Sequence, residues 1–280
     1  RAQDVETQDG TLVLAVAQEN LTRGASGKVR FTLTNTSDVE IEILTATQTG
    51  NAASPDIRYK LLDKDGNVLA TQSFKQALGA NVITLPNGQT VARLAAGAAF
   101  TSDAMDLFVP SSAPDNVTVQ AEIDRYHYKV GAPETVSIPG QSSRQAATLI
   151  DTAYYAEITN INPASSFGDR DVIIQGRAIA RASATPLPNV PVKLILNVNG
   201  FERRLDVYTN ATGNFSHAFK PTTSDGGAYK VSALHPDMLE RPVHGQFVIN
   251  SLALQYSSYK LSNPRNYPFT IRVRATAGDG

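Results

Sequence analysis

The 280-residue sequence contains no cysteine and no tryptophan, only two methionines and only four histidines. Without cysteine there are no disulfides, no thiolate nucleophile and no cysteine metal cluster. No run approaches the eighteen or so consecutive apolar residues that a membrane-spanning helix needs. Charge of either sign is not in excess: 25 Lys and Arg face 26 Asp and Glu, for a formal net charge of −1. That balance gives no electrostatic reason to expect nucleic acid or an anionic membrane as partner. The lack of tryptophan counts against a sugar-stacking platform, although ten tyrosines keep that route open. A nucleophile elbow, a Ser-Lys signature and a paired-His metal helix are all missing. The stretch GASGK at residues 24–28 lacks both the phosphate-loop spacing and a following helix. The chain opens on Arg1 without a basic-then-apolar leader, and we read it as processed or excised from something longer.

What is present is period-two alternation. In KVRFTLTN, Val29, Phe31 and Leu33 point one way and Lys28, Arg30 and Thr32 the other, the pattern of a strand with one buried face. EIEILTAT, IRYKLL, NVLATQ, TVARLAA and VTVQAEI repeat it. The polar residues lean towards Thr, Ser, Asn and Gln, which suit the open side of strands better than helix surfaces. Only SFKQALGA and the stretch around Ala146 to Ala153 hint at helical turns, and the second reads as an interdomain strand or connector.

DKDGN, residues 63–67, places Asp63, Asp65 and Asn67 on alternate positions beside a glycine, like the first half of a calcium-binding loop. Such a loop requires a Glu at its twelfth position, which here is Phe74, and flanking helices. IRYKLL and NVLATQ flank it as alternating segments, so a hairpin is the favoured reading, with Gly66 supplying a positive φ. Further on, Val190, Val192, Leu194, Leu196 and Val198 share one face before Asn199-Gly200, a pair that predicts a type I′ turn. Phe215 and Phe219 fall on one side of the next strand, and Tyr229, Val231 and Ala233 alternate in the one after.

The succession PLPNVPVKLIL, YTNATGNFSHAF and GGAYKVSALHPD resembles bacterial immunoglobulin-like and macroglobulin-like modules that repeat along large extracellular proteins. The resemblance covers residues 153–249 and implies that Tyr229 is the tyrosine of the corner motif in such sandwiches. GKVRFTLTNTSDVEIEILT is similar, over about a third of its domain, to adhesion-related bacterial sandwich modules. The expected fold is all-β: tandem Ig-like antiparallel β-sandwich domains over residues 1–148 and 149–249, with two C-terminal strands over 250–280. Those last strands, around Leu252, Leu254 and Tyr256 and around Phe269, Ile271, Val273 and Ala275, cannot bury a core alone. They are read first as the opening of a third module, then as a return onto the second domain, and last as an exchange with another subunit.

Candidate sites are few. In DRYHYK, alternation separates Asp124 from His127, which disfavours a catalytic dyad. His217, His235 and His244 lie within 30 residues of one another and could meet to hold zinc, but nothing in their spacing requires it. Asp169 and Asp171 flank Arg170 in a loop read as lying at a domain edge and are kept as calcium candidates, against the favoured reading of an Arg170–carboxylate pair with a turn at Gly168. Five Asn-x-Ser/Thr triplets begin at Asn20, Asn35, Asn116, Asn210 and Asn214 and are read mainly as coincidence. No catalytic residue and no cofactor is expected. The resemblance implies a secreted or cell-surface array with adhesive and spacing roles, whose partners are neighbouring domains, subunits of a filament or a glycan. The alternative is a carbohydrate- or protein-binding accessory to a larger secreted enzyme.

Overall fold

A computed structural model describes residues 5–6, 12–44, 56–75, 82–84, 86, 90–130, 136–222, 224–256, 265–266, 268, 270 and 273–278. Among the described residues there is no helix, and the chain divides into two compact units, Arg1–Asp151 and Thr152–Gly280. Every pair of named strands but one is antiparallel.

The first unit contains β1 (Val5–Glu6), β2 (Leu12–Glu19), β3 (Ser26–Asn35), β4 (Ile41–Leu44), β5 (Asp56–Leu62) and β6 (Val68–Lys75). It continues with β7 (Val82–Thr84), β8 (Thr90–Leu94), β9 (Ala99–Thr101), β10 (Met105–Phe108), β11 (Asn116–Val130) and β12 (Val136–Thr148). One sheet runs β1-β2-β3-β10 with β9 also on β3, and the other β6-β5-β11-β4-β8-β7 with β12 on the far edge of β11. β11 is long enough to serve two neighbours along one edge, pairing Thr118 to Ile123 with β5 and Tyr128 to Val130 with β4. Among the described strands β12 pairs with β11 alone, and Pro139, which has no N–H to give a ladder, is tolerated there. Alternation closes the sandwich. Leu14, Phe31 and Leu33 from one sheet meet Tyr59, Leu61 and Val119 from the other, all buried. Each such aliphatic side chain contributes about 2 kcal/mol by leaving water. The residues around Ala146 are strand rather than helical turns, with Ala147 and Leu149 buried.

The second unit contains β13 (Tyr154–Asn162), β14 (Ser165–Ser166), β15 (Val172–Ala180), β16 (Pro191–Val198) and β17 (Phe201–Tyr208). β18 (Asn214–Phe219), β19 (Gly227–Leu234), β20 (Gly245–Ile249), β21 (Ser251–Tyr256) and β22 (Val273–Gly278) follow. One sheet is ordered β13-β15-β18 and the other β14-β20-β19-β16-β17. This is the immunoglobulin arrangement, strands A, B and E facing G, F, C and an extra edge strand. The first strand is split between the sheets, so that β14 runs parallel to β20. Val192, Leu194, Leu196, Phe215, Phe219, Tyr229 and Val231 form the core. Asn199 and Gly200 have φ of 50° and 80°, the two positive values of the expected type I′ turn between β16 and β17.

The Tyr229 hydroxyl donates to Asp225 O at 2.9 Å, and its ring stacks on Phe247 at 4.6 Å, which makes it the corner tyrosine implied by the resemblance. Asp225 is buried, accepts from the Thr222 N–H and hydroxyl at 2.7 Å each, and pairs with Arg203. β21 and β22 form a two-stranded sheet of their own, in register from Ser251↔Gly278 to Tyr256↔Val273. Phe269 and Ile271 lie outside the described residues.

Candidate functional site

The DKDGN stretch is a turn that consumes its own carboxylate. Asp63 Oδ1 accepts the backbone N–H groups of Asp65 at 2.9 Å and Asn67 at 2.8 Å, while Oδ2 accepts Asn67 Nδ2 at 2.8 Å. Gly66 has φ +84°, as the hairpin reading requires. The Asn67 side-chain and backbone bonds hold the Asp63 carboxyl below the usual carboxylate range. The loop itself thus takes up three of the carboxylate's roughly four lone-pair sites.

Asp169 and Asp171 are both exposed on the loop after β14. Asp169 Oδ2 accepts from Arg170 Nε at 3.3 Å and from its Nη2 at 3.2 Å, and Gly168 turns the chain with φ +75°. Among the described residues no group of three or more His, Cys, Asp or Glu converges. The three C-terminal histidines separate: His217 sits on β18, opposite Ile174, while His235 and His244 stand near the two ends of the β19–β20 connection. The side chains of Asp124 to Tyr128 lie outside the described residues. Of the five triplet asparagines, Asn35 is fully buried, its Nδ2 donating to Val39 O, Leu94 O and Ala95 O, so the folded chain offers no amide there for glycosylation.

His235 and His244 line a cavity of about 300 Å³ together with Tyr155, Arg181, Met238 and Pro242. His235 Nδ1 accepts the Asp237 N–H at 3.1 Å, and its ring lies 4.4 Å from that of Tyr154. His244 Nδ1 accepts the Ala233 N–H at 3.1 Å. Burial lowers the pKa of both imidazoles, which keeps them neutral near pH 7. With Nδ1 occupied as an acceptor, each ring carries its proton on Nε2. The Arg181 guanidinium lies 5.2 Å above the Tyr155 ring. A larger hollow of about 440 Å³ lies in the first unit beside Asp63, Lys64, Asp65 and Arg144. Its charges are of both signs and its Asp63 and Arg144 are already bonded, Arg144 Nε to Gln120 Oε1 at 2.9 Å, so the smaller cavity is the better-formed site. The two histidines stand out in the sequence by residue type, whereas Tyr155 and Arg181 carry no local motif.

No family model and no curated protein sequence matches this chain. Among solved structures, a red sea bream transglutaminase is similar over 80% of this chain and 29% of its own, at 11% identity and a TM-score of 0.28. A bacterial adhesin from Mobiluncus mulieris, with intramolecular disulfide, isopeptide and ester cross-links, is similar over 88% of this chain and 87% of its own, at 11% identity and a TM-score of 0.18. The four N-terminal Ig domains of Dscam1 isoform 4.44 cover 98% of this chain and 69% of their own, at 12% identity and a TM-score of 0.22. The chain thus spans less than a third of the transglutaminase. At such scores the strand order and the Tyr229 corner, rather than these likenesses, define the second unit as an immunoglobulin-like sandwich.

Proposed function

We propose that this chain is a non-catalytic structural and adhesive component of an exported protein. Its sandwich units, of the bacterial immunoglobulin-like or macroglobulin-like kind, act as spacers at a cell surface or in a filament and bear on neighbouring domains, subunits or a glycan. One observation carries the reading: polar side chains in both units are spent on pinning connections between strands. Asn35, Asp63, Asn210 and Asp225 each bond the backbone of the loop that contains them. A sandwich with pinned connections holds its dimensions, which a flexible linker of equal length does not.

The absence of cysteine makes the test direct, since an introduced pair is unique. Thr71→Cys and Lys230→Cys, on exposed positions of β6 and β19, can carry spin labels for pulsed electron–electron distance measurement. A spacer gives one narrow distance distribution. A broad, featureless distribution overturns the reading.

A further inference from the structure

We propose that the cavity beside His235 and His244 binds a small carboxylate carried on an apolar body. The inference goes beyond the spacer reading, and neither depends on the other. It rests on a mismatch of donors and acceptors. His235 and His244 both have Nδ1 committed to a backbone N–H, so each aims an Nε2–H donor elsewhere, and no described residue accepts from either. Arg181 brings a guanidinium with five N–H donors, held over Tyr155 by the ring face and paired with no described carboxylate.

The lining includes no Asp or Glu. The two acids whose charge acts on the imidazoles, Asp237 and Glu157, do not fill the role. Asp237 is largely exposed and lies 3.8 Å from His235 Nδ1, the nitrogen already in use. Glu157, which acts on His244 through its charge, accepts from Arg177 Nε at 2.5 Å. Arg181 is exposed and both imidazoles are half-buried, so water meets these donors in the free chain, and a ligand that brings an acceptor takes that water's place. A carboxylate supplies about four lone-pair sites and matches a guanidinium in bidentate fashion.

The remaining wall decides what carries that carboxylate. Ala156, Leu234, Met238 and Pro242 are apolar, which favours a hydrocarbon or aromatic body over bare phosphate or sulfate. A volume of about 300 Å³ lies at the small end of ligand sites, so the body is of the size of one ring or a short chain. A free organic acid and the C-terminus of a peptide ending in an apolar residue present the same chemistry.

The experiment is a titration of the full chain with phenylacetate, its neutral isostere phenylacetamide, inorganic phosphate, and a short peptide ending in phenylalanine with its carboxylate free or amidated. It is followed by calorimetry and by ¹H–¹⁵N imidazole resonances, which four histidines keep resolvable. Expected are saturable binding of phenylacetate with shifts at His235 and His244 but not at His217, and at least about ten-fold weaker binding of phenylacetamide. Arg181→Gln loses about ten-fold in affinity while keeping the wild-type melting temperature, and Arg181→Lys recovers part of it. Tighter binding of the free-carboxylate peptide than of phenylacetate identifies a chain terminus as the natural source, and the reverse order a free acid. Equal binding of acid and amide, tighter binding of phosphate, full affinity in Arg181→Gln, or no saturable binding of either carboxylate overturns the proposal.

Discussion

In the first unit the Asp63 N–H donates to Asn67 O at 3.0 Å, and in the second the Asn210 N–H donates to Asn214 O at 2.7 Å. The match continues through the two loops. Gly66 N donates to Asp63 O and Gly213 N to Asn210 O, with φ of 84° and 81° at the glycines. Asp63 Oδ1 accepts from the N–H groups two and four residues on, and so does Asn210 Oδ1, from Thr212 at 2.9 Å and Asn214 at 3.0 Å. A carboxylate and an amide therefore do one job. What the loop needs is a short side-chain oxygen at its first position, not a negative charge, and that need alone produces a sequence resembling half a calcium loop. The loops differ in their surroundings. The first is the open tip of a hairpin between β5 and β6, whereas the second crosses between sheets, from β17 to β18, and lies against Pro186 and Leu187.

That difference should appear most strongly at the two glycines. A Cβ on Gly213 would lie 2.6 Å from Pro186 Cβ and 2.9 Å from Leu187 N, whereas one on Gly66 meets nothing within 4 Å. Gly66→Ala should cost about 1 kcal/mol, the strain of a positive φ alone. Gly213→Ala adds overpacking against backbone and should cost about 3 kcal/mol. Urea unfolding of the full chain measures both, and equal costs would mean that the neighbouring segment does not crowd the second loop. Next in size is Asn210→Ala, which removes the acceptor for two backbone N–H groups and should destabilise by about 1 kcal/mol. Asn210→Asp should be nearly neutral at pH 7, and a large loss on placing a carboxylate there would refute the equivalence of the two loops.

Much of this was legible beforehand because its signals are local. Val29, Phe31 and Leu33 are buried in alternation as read, Asn199-Gly200 makes the expected turn, and Tyr229 makes the corner bond. Asn35 stands out in the sequence as the start of an Asn-x-Ser/Thr triplet, yet it is fully buried. Its burial depends on carbonyls at Leu94 and Ala95, some sixty residues away, which no local pattern announces. The cavity in the second unit was hidden for the same reason. Tyr155 and Arg181 belong to the end of the β13–β15 pair, and His235 and His244 to the connection after β19. Alternation says which face a side chain takes, but the strands that lie against that face are set by the closing of the sandwich. The histidines invited a metal reading on count alone. In the fold, His235 and His244 each turn an acceptor nitrogen to a backbone amide, and His217 stands apart on β18.

The smallest effect tests the charge itself. Asp63 has its carboxyl held below the usual range, first by the Asn67 side chain and then by the Asn67 backbone. A lowered folded value means that the carboxylate contributes stability above its unfolded pKa of about 4, and that this contribution is lost as pH falls through the folded value. Asp63→Asn gives the first loop the uncharged chemistry of the second and removes that dependence. All other acids are common to both chains and cancel in the difference. The urea midpoint of the wild type should therefore fall more steeply than that of Asp63→Asn between about pH 4 and pH 2, with the two curves parallel above that window. Asn67→Ala, which deletes the leading cause of the shift, should make the wild-type curve resemble the variant's. Because the group is exposed, added salt should shrink the difference. A gap that stays constant across the whole acid range would mean that the carboxylate is not singled out by its loop, and that the hydrogen-bonding oxygen alone, charged or not, accounts for both turns.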